Sequence, residues 1–287
     1  MNPAPATIGV GAAFNSKNYE TIKARESAIT MSVDIGNRGY NPTMARECAF
    51  CPETANRSRE HLWSNWISQL LPGQKRLTFG SENPNITTKW VSPELNWKAK
   101  VVCGRCNNQW MSDIENAHAK PAMTDLILGR SGIPIDQSRA SSIAIFAFKT
   151  AVIFDHISRN RRPFFERSAR HEFRNSLTIP SNVSMWLTKF VPSGSGGANT
   201  LYHEGGITPD KSLEVYVCNY AVEHLVIQIV AYKERGLRRV SVKDNFLAVP
   251  FWPKVPEAFI WPPASVLKTA SDFHSFCGRW QDVVATF

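Results

Sequence analysis

The 287-residue chain carries 33 Lys and Arg against 24 Asp and Glu, a formal net charge of +9, with 43% hydrophobic residues and 16 Phe. This length and apolar content exclude a disordered chain or a lone small module, and leave room for two domains and a sizeable core. The positive balance suits a polyanionic partner such as nucleic acid.

Residues 1–43 show no sustained hydrophobic period and are punctuated by Asn, Gly, Ser and Pro. They are expected to form a loosely structured N-terminal arm, with a short helix near Tyr19–Ser27. The opening M-N-P-A-P-A-T-I-G-V lacks the charged head and long apolar stretch of a signal peptide. No run of about 18 apolar residues stands out, so no membrane span and a cytoplasmic location are expected.

Residues 44–120 carry the densest chemistry. Cys48-Ala-Phe-Cys51 is followed by Glu60-His61, and Cys103-Gly-Arg-Cys106 runs directly into Asn107-Asn108. Two thiolates three residues apart can share one tetrahedral ion, and two such pairs complete a four-cysteine zinc site. The remaining two of the six cysteines, Cys218 and Cys277, sit in strand-like and helix-like runs and read as buried thiols. Between Cys51 and Glu60 lies the polar loop T-A-N-R-S-R, which is placed to carry Arg57 and Arg59 towards phosphates. After His61 a short helix through Trp66 and Leu70 is expected to stop at Pro72-Gly73. Strand-like runs follow at Arg76–Phe79, Thr87–Val91 and Trp97–Val102. A helix is expected from Asn107 or Asn108, with Trp110, Met111, Ile114 and Ala117 on one face. Five of the nine Trp fall between Trp63 and Trp110 and read as core filling.

This constellation resembles the HNH, or ββα-metal, endonucleases, over residues 44–120. The resemblance implies a zinc held by Cys48, Cys51, Cys103 and Cys106 that staples the module. It also implies His61 as general base, and Glu60 and Asn107 as ligands of a catalytic Mg²⁺ or Mn²⁺. Imidazole suits the base because its pKa lies near working pH, and oxygen donors suit those cations. Adjacent strand residues point to opposite faces, so Glu60 and His61 can serve one site only if the strand is irregular there. The family's middle Asn, which braces the His loop, falls nearest Asn96, with Asn85 as another option. Asn108 is the alternative to Asn107. Glu60 stands where the family usually has Asp.

Residues 121–287 read as a C-terminal α+β domain. Leu126-Ile127-Leu128-Gly129 reads as a helix end with a glycine cap. The run from Arg139 to Ile157 is apolar almost all round, as expected of a long buried helix. Val183–Phe190, Ser212–Asn219 and Glu223–Tyr232 alternate as strands of an antiparallel sheet, with a tight connection at residues 219–222. Ser193–Ala198 reads as a loop. Pro250–Pro263 is expected to run extended over the surface, and residues 270–287 to close the chain as a helix with Phe273, Phe276, Trp280 and Val284. Two basic clusters, Arg159–Arg174 and Lys233–Lys243, are candidate phosphate contacts.

The fold expected is thus α+β, a small zinc-stapled ββα-metal module followed by the C-terminal domain that positions a substrate or partner. The function implied is metal-dependent hydrolysis of DNA phosphodiester bonds, with RNA an open alternative substrate. By resemblance alone, the setting is phage defence or restriction, with a partner protein of such a system. Two other readings stay open: a zinc-stapled DNA-binding module whose nuclease site has decayed, and a nuclease effector that a partner activates.

Overall fold

The structure, a computed structural model, describes residues 47–71, 77–83, 86–92, 98–157, 163–191, 200–205, 213–234, 238–242, 248–255, 258–278 and 280–284. The expected N-terminal arm, its short helix, and both Asn85 and Asn96 lie outside the described residues.

Among the described residues, strand β1 (Arg57–His61) comes first and a short helix, Asn65–Leu70, follows it. A hairpin of β2 (Leu77–Asn83) and β3 (Ile86–Ser92) intervenes before β4 (Lys98–Cys103) returns antiparallel to β1. Their register slips between Ser58 and Glu60. An irregularity of this kind bends a strand and re-aims its side chains. β4 feeds without a loop into a helix over residues 104–127, three positions earlier than the apolar period implied. Two stretches of this helix, Cys106–Met111 and Glu115–Ala119, are wound as π-helix. The wider turn spaces the buried positions by five as well as three, Cys106, Met111, Ile114 and Ala119. Ala117, expected inward from α-helical spacing, is therefore exposed. The glycine cap is as expected: Gly129 adopts φ +72°, and the imidazole of His224 lies where a β-carbon would be.

The central helix, Gln137–Ile157, has buried residues on every side. By length and composition it could cross a membrane, which corrects the expectation that no such stretch exists, but 72% of its apolar 18-residue window is buried inside the protein. What surrounds it explains why. On one side lie β4 and the 104–127 helix. On the other, the Tyr216 hydroxyl donates to the Ala151 carbonyl at 2.9 Å from a six-stranded sheet. Strand β5 (Ile133–Ile135) lies outside that sheet, which contains β6 (Val183–Phe190), β7 (Thr200–Gly205), β8 (Leu213–Val222) and β9 (Leu225–Glu234). Its strand order is β11-β6-β9-β8-β7, where β11 is Val249–Trp252 and follows β10 (Arg238–Val242), and a short strand at Val266–Leu267 runs parallel to β6. Leu225, Ile227, Ile229 and Ala231 of β9 face the central helix, and Val226 meets a second core under helix Ala270–Cys277.

The β8–β9 turn falls at Glu223-His224 rather than at residues 219–222. Asn219 stays in the strand because its side-chain carbonyl accepts from buried Gln228 at 2.7 Å, which overrides its turn preference. The closing helix ends at Cys277, and Trp280–Val284 forms a strand paired with Arg238–Val242. The Pro-rich run is extended, yet Phe251 and Trp261 are fully buried anchors, not surface wrapping. The described residues lie in one compact unit, Tyr40–Phe287, and one core runs from Cys48 to Trp261 across the position expected to divide two domains. Trp63 shows this continuity, with ring centroids 6.0 Å from Phe154 and 5.6 Å from Tyr220.

Candidate metal centre and the buried charges beside it

Two tight turns bring the cysteines together. In the first, the Cys48 amide donates to the Glu53 carbonyl at 2.7 Å, and the Ala49 amide reaches the Val101 carbonyl of β4 at 2.8 Å. In the second, Gly104 caps the Asn56 carbonyl at 2.9 Å as the chain enters the helix. All four sulfurs are buried and lie within 4.8 Å of one another, with Cys51–Cys103 and Cys51–Cys106 both at 3.6 Å. A tetrahedral zinc with Zn–S near 2.3 Å holds its sulfurs about 3.8 Å apart, whereas a disulfide needs about 2.05 Å. None of the four is in a disulfide. The set fits a closed tetrahedral thiolate site.

The backbone prepares the sulfurs for negative charge. The amides of Phe50 and Cys103 donate to Cys48 Sγ at 3.5 and 3.3 Å, and the Cys106 amide donates to Cys103 Sγ at 3.4 Å. Hydrogen bonding from Cys106, with those amides, pulls the Cys48 pKa well below the ordinary thiol range despite burial. Cys106 is pushed up by the same bond to Cys48 and by burial, and Cys51 chiefly by burial. A cation bound by the four sulfurs would take the place of their protons.

The other expected site residues gather on β1. Asn107, one residue past Cys106, donates its side-chain Nδ2 to Ser58 Oγ at 2.8 Å and to the Arg59 carbonyl at 3.4 Å. A carbonyl can only accept, so this pairing fixes the amide orientation and leaves Oδ1 as the atom not used by β1. Asn108 is exposed. His61 is half-buried at the end of β1, opposite Lys98.

Glu60 points the other way. It is only 4% exposed, and its Oε1 lies 3.8 Å from Nζ of Lys149, which is fully buried in the central helix. Lys149 also pairs with Glu115 at 3.1 Å and lies 4.6 Å from the Phe146 ring centroid. Ser64 donates to the same Glu115 oxygen at 2.5 Å. Burial raises the Glu60 pKa to about 7, with Lys149 opposing and Glu115 reinforcing the rise. Lys149, Glu115 and Ser64 were not singled out from the sequence. The available signal was a single Lys in the otherwise apolar run I-A-I-F-A-F-K-T-A-V-I-F, since an uncompensated buried ammonium is strongly disfavoured.

The first basic cluster also takes an unexpected role where it is described. Arg167, Arg170 and Arg174 lie on helix Arg167–Ser176. Arg170 is buried, with Nε donating to the Phe165 carbonyl at 3.1 Å and Nη1 to the Ala49 carbonyl inside the first cysteine pair. Asp155 of the central helix holds the same turn, accepting from the Phe164 and Phe165 amides at 3.0 Å each. Arg57 points at the Glu47 and Lys100 carbonyls, while Arg59 is exposed.

The fold and site together define a mixed helix-and-sheet protein with a buried four-cysteine cluster that can hold a metal ion such as zinc. No family model, no curated protein and no solved structure matches this chain.

Proposed function

We propose that this protein is a metal-dependent endonuclease of the HNH type acting on DNA, stapled by a structural zinc on Cys48, Cys51, Cys103 and Cys106. One observation carries the reading. β1, ending in Glu60-His61, pairs antiparallel with β4, which delivers Cys103, Cys106 and Asn107 to the start of a helix, and Asn107 hydrogen-bonds back to β1. That order of strand, strand and helix is the one the resemblance implies.

His61 is the general base of this reading, accepting a proton from the attacking water. Asn107 Oδ1 would help to hold the catalytic Mg²⁺ or Mn²⁺, whereas Glu60, expected as its second ligand, is turned inward to Lys149 and is not brought to that side of β1. When bound, that cation would supply charge stabilisation at the scissile phosphate. The Ser58 hydroxyl and Arg59 carbonyl pin the Asn107 amide nitrogen, so that its oxygen is the end left for a ligand role. The test is plasmid nicking with Mg²⁺ or Mn²⁺ by the full chain. His61→Ala is expected to lower the rate about 10²- to 10⁴-fold with an unchanged circular dichroism spectrum. Nicking that survives the substitution points to another site.

A second reading is a zinc-stapled DNA-binding module without catalysis. The inward turn of the Glu60 carboxylate toward Lys149 favours it. Plasmid retardation without nicking in either metal would select it.

A further inference from the structure

Arg167, Arg170 and Arg174 are spaced by three and four residues, so they share one helix face. Every one of them is directed at the cysteine knuckles. Arg167 Nη2 pairs with Glu47 Oε1, the residue before Cys48, at 3.0 Å. Arg170 donates to the Ala49 carbonyl between Cys48 and Cys51. Arg174 lies with its guanidinium carbon 5.1 Å from the ring centroid of Trp110, four residues after Cys106. The Nε of Arg174 is buried with no hydrogen-bond partner. The aromatic contacts close the same interface, with Phe50 4.9 Å from Trp110 and Trp110 5.7 Å from Phe173 of the arginine helix.

This arrangement has an electrostatic rationale. Four thiolates around one divalent zinc leave two uncompensated negative charges, and here the sulfurs are out of water. Cations fixed beside them stabilise the thiolate form against protonation and against transfer of the metal to a competing ligand. An exposed phosphate-gripping helix would instead direct its arginines to solvent.

We propose that helix Arg167–Ser176 is the outer shell of the zinc site, with Arg170 and Arg174 as positioning residues that set how tightly the four cysteines keep their metal. The proposal rests on the cluster holding zinc and not on the nuclease activity. Full-length protein is loaded with zinc, the zinc is quantified, and its release into the chromogenic chelator 4-(2-pyridylazo)resorcinol is timed. Arg174→Gln is expected to release zinc about tenfold faster, in line with losses seen on removing outer-shell partners. Arg174→Lys, which keeps the charge without the planar fork, falls between wild type and Arg174→Gln. Arg167→Gln, on the solvent side of the row, changes the rate less than about twofold, as a mostly exposed ion pair predicts. Circular dichroism of each variant separates metal loss from unfolding, and Arg174→Lys keeps the test open if Arg174→Gln fails to fold. Wild-type release kinetics in Arg174→Gln would overturn the proposal. So would unchanged zinc retention with weakened plasmid binding, the pattern of a phosphate contact. A wild-type chain that takes up no zinc overturns it together with the metal reading. Zinc uptake without DNA cleavage leaves it standing while the nuclease reading fails.

Discussion

Two of the polar centres buried among the described residues are compensated in different ways. The cysteine cluster is built from two short turns, and its sulfurs meet backbone amides and one another, while Arg170 holds the carbonyl of Ala49 between the first two. The Glu60–Lys149–Glu115 centre is built from three distant segments, and its cation is a side chain of the central helix. The first is arranged to take a metal ion that the chain does not supply. The second carries its own counter-charge, one ammonium for two carboxylates. Burial therefore means different things in the two places: readiness for a ligand in one, and a fixed internal ion pair that joins β1 to the rest of the fold in the other.

The largest expected effect is on the first centre. Cys103→Ser removes a ligand that also accepts the Cys106 amide, and it is expected to abolish stoichiometric zinc, roughly one per chain, and to unfold the knuckles. Binding free energy of about 10–16 kcal/mol at structural zinc sites is coupled to folding. Metal analysis and thermal unfolding with and without chelator check this. Full zinc content in the variant would mean that three sulfurs suffice.

Lys149→Met should cost about 3–5 kcal/mol, because it leaves Glu60 and Glu115 buried without their cation. Urea unfolding measures the loss. The double variant Lys149→Met with Glu60→Gln should recover part of it, since the uncompensated charge is then smaller. If the two losses simply add, the ion pair is not the source.

The smallest effect is a dependence on pH. Glu60 in the folded protein titrates near 7, above the value of 4.5 usual for a glutamate. The folded state thus binds this proton more tightly than the unfolded state, and the resulting stability is complete below about pH 4.5 and lost as pH rises through about 7. His156 acts in the opposite sense. Burial lowers its pKa to about 4, so its contribution is present above about 6.5 and lost as pH falls through 4. Glu60→Gln is therefore expected to gain on wild type between pH 5 and 8, by up to about 3 kcal/mol. Unfolding midpoints of the two proteins against pH test this, and parallel curves would place Glu60 in a wetter setting than its burial indicates.

The sequence by itself determined the local devices. The cysteine spacing, the glycine cap at Gly129, the all-round apolar central helix and the alternation in β6 and β9 were legible because each depends on residues a few positions apart. The tertiary structure decided what depends on distant partners. Asn219 stays in a strand because Gln228 donates to its side-chain carbonyl, Ala117 faces outward because the helix is widened to π turns, and Arg170 turns to the knuckle rather than to solvent. Glu60 sits next to His61 in sequence, yet its partner Lys149 is far along the chain, on a helix whose pattern reads as apolar almost all round. Periodicity reports which face is buried. It does not report which opposite charge burial will bring to that face, because that is set by how the elements pack.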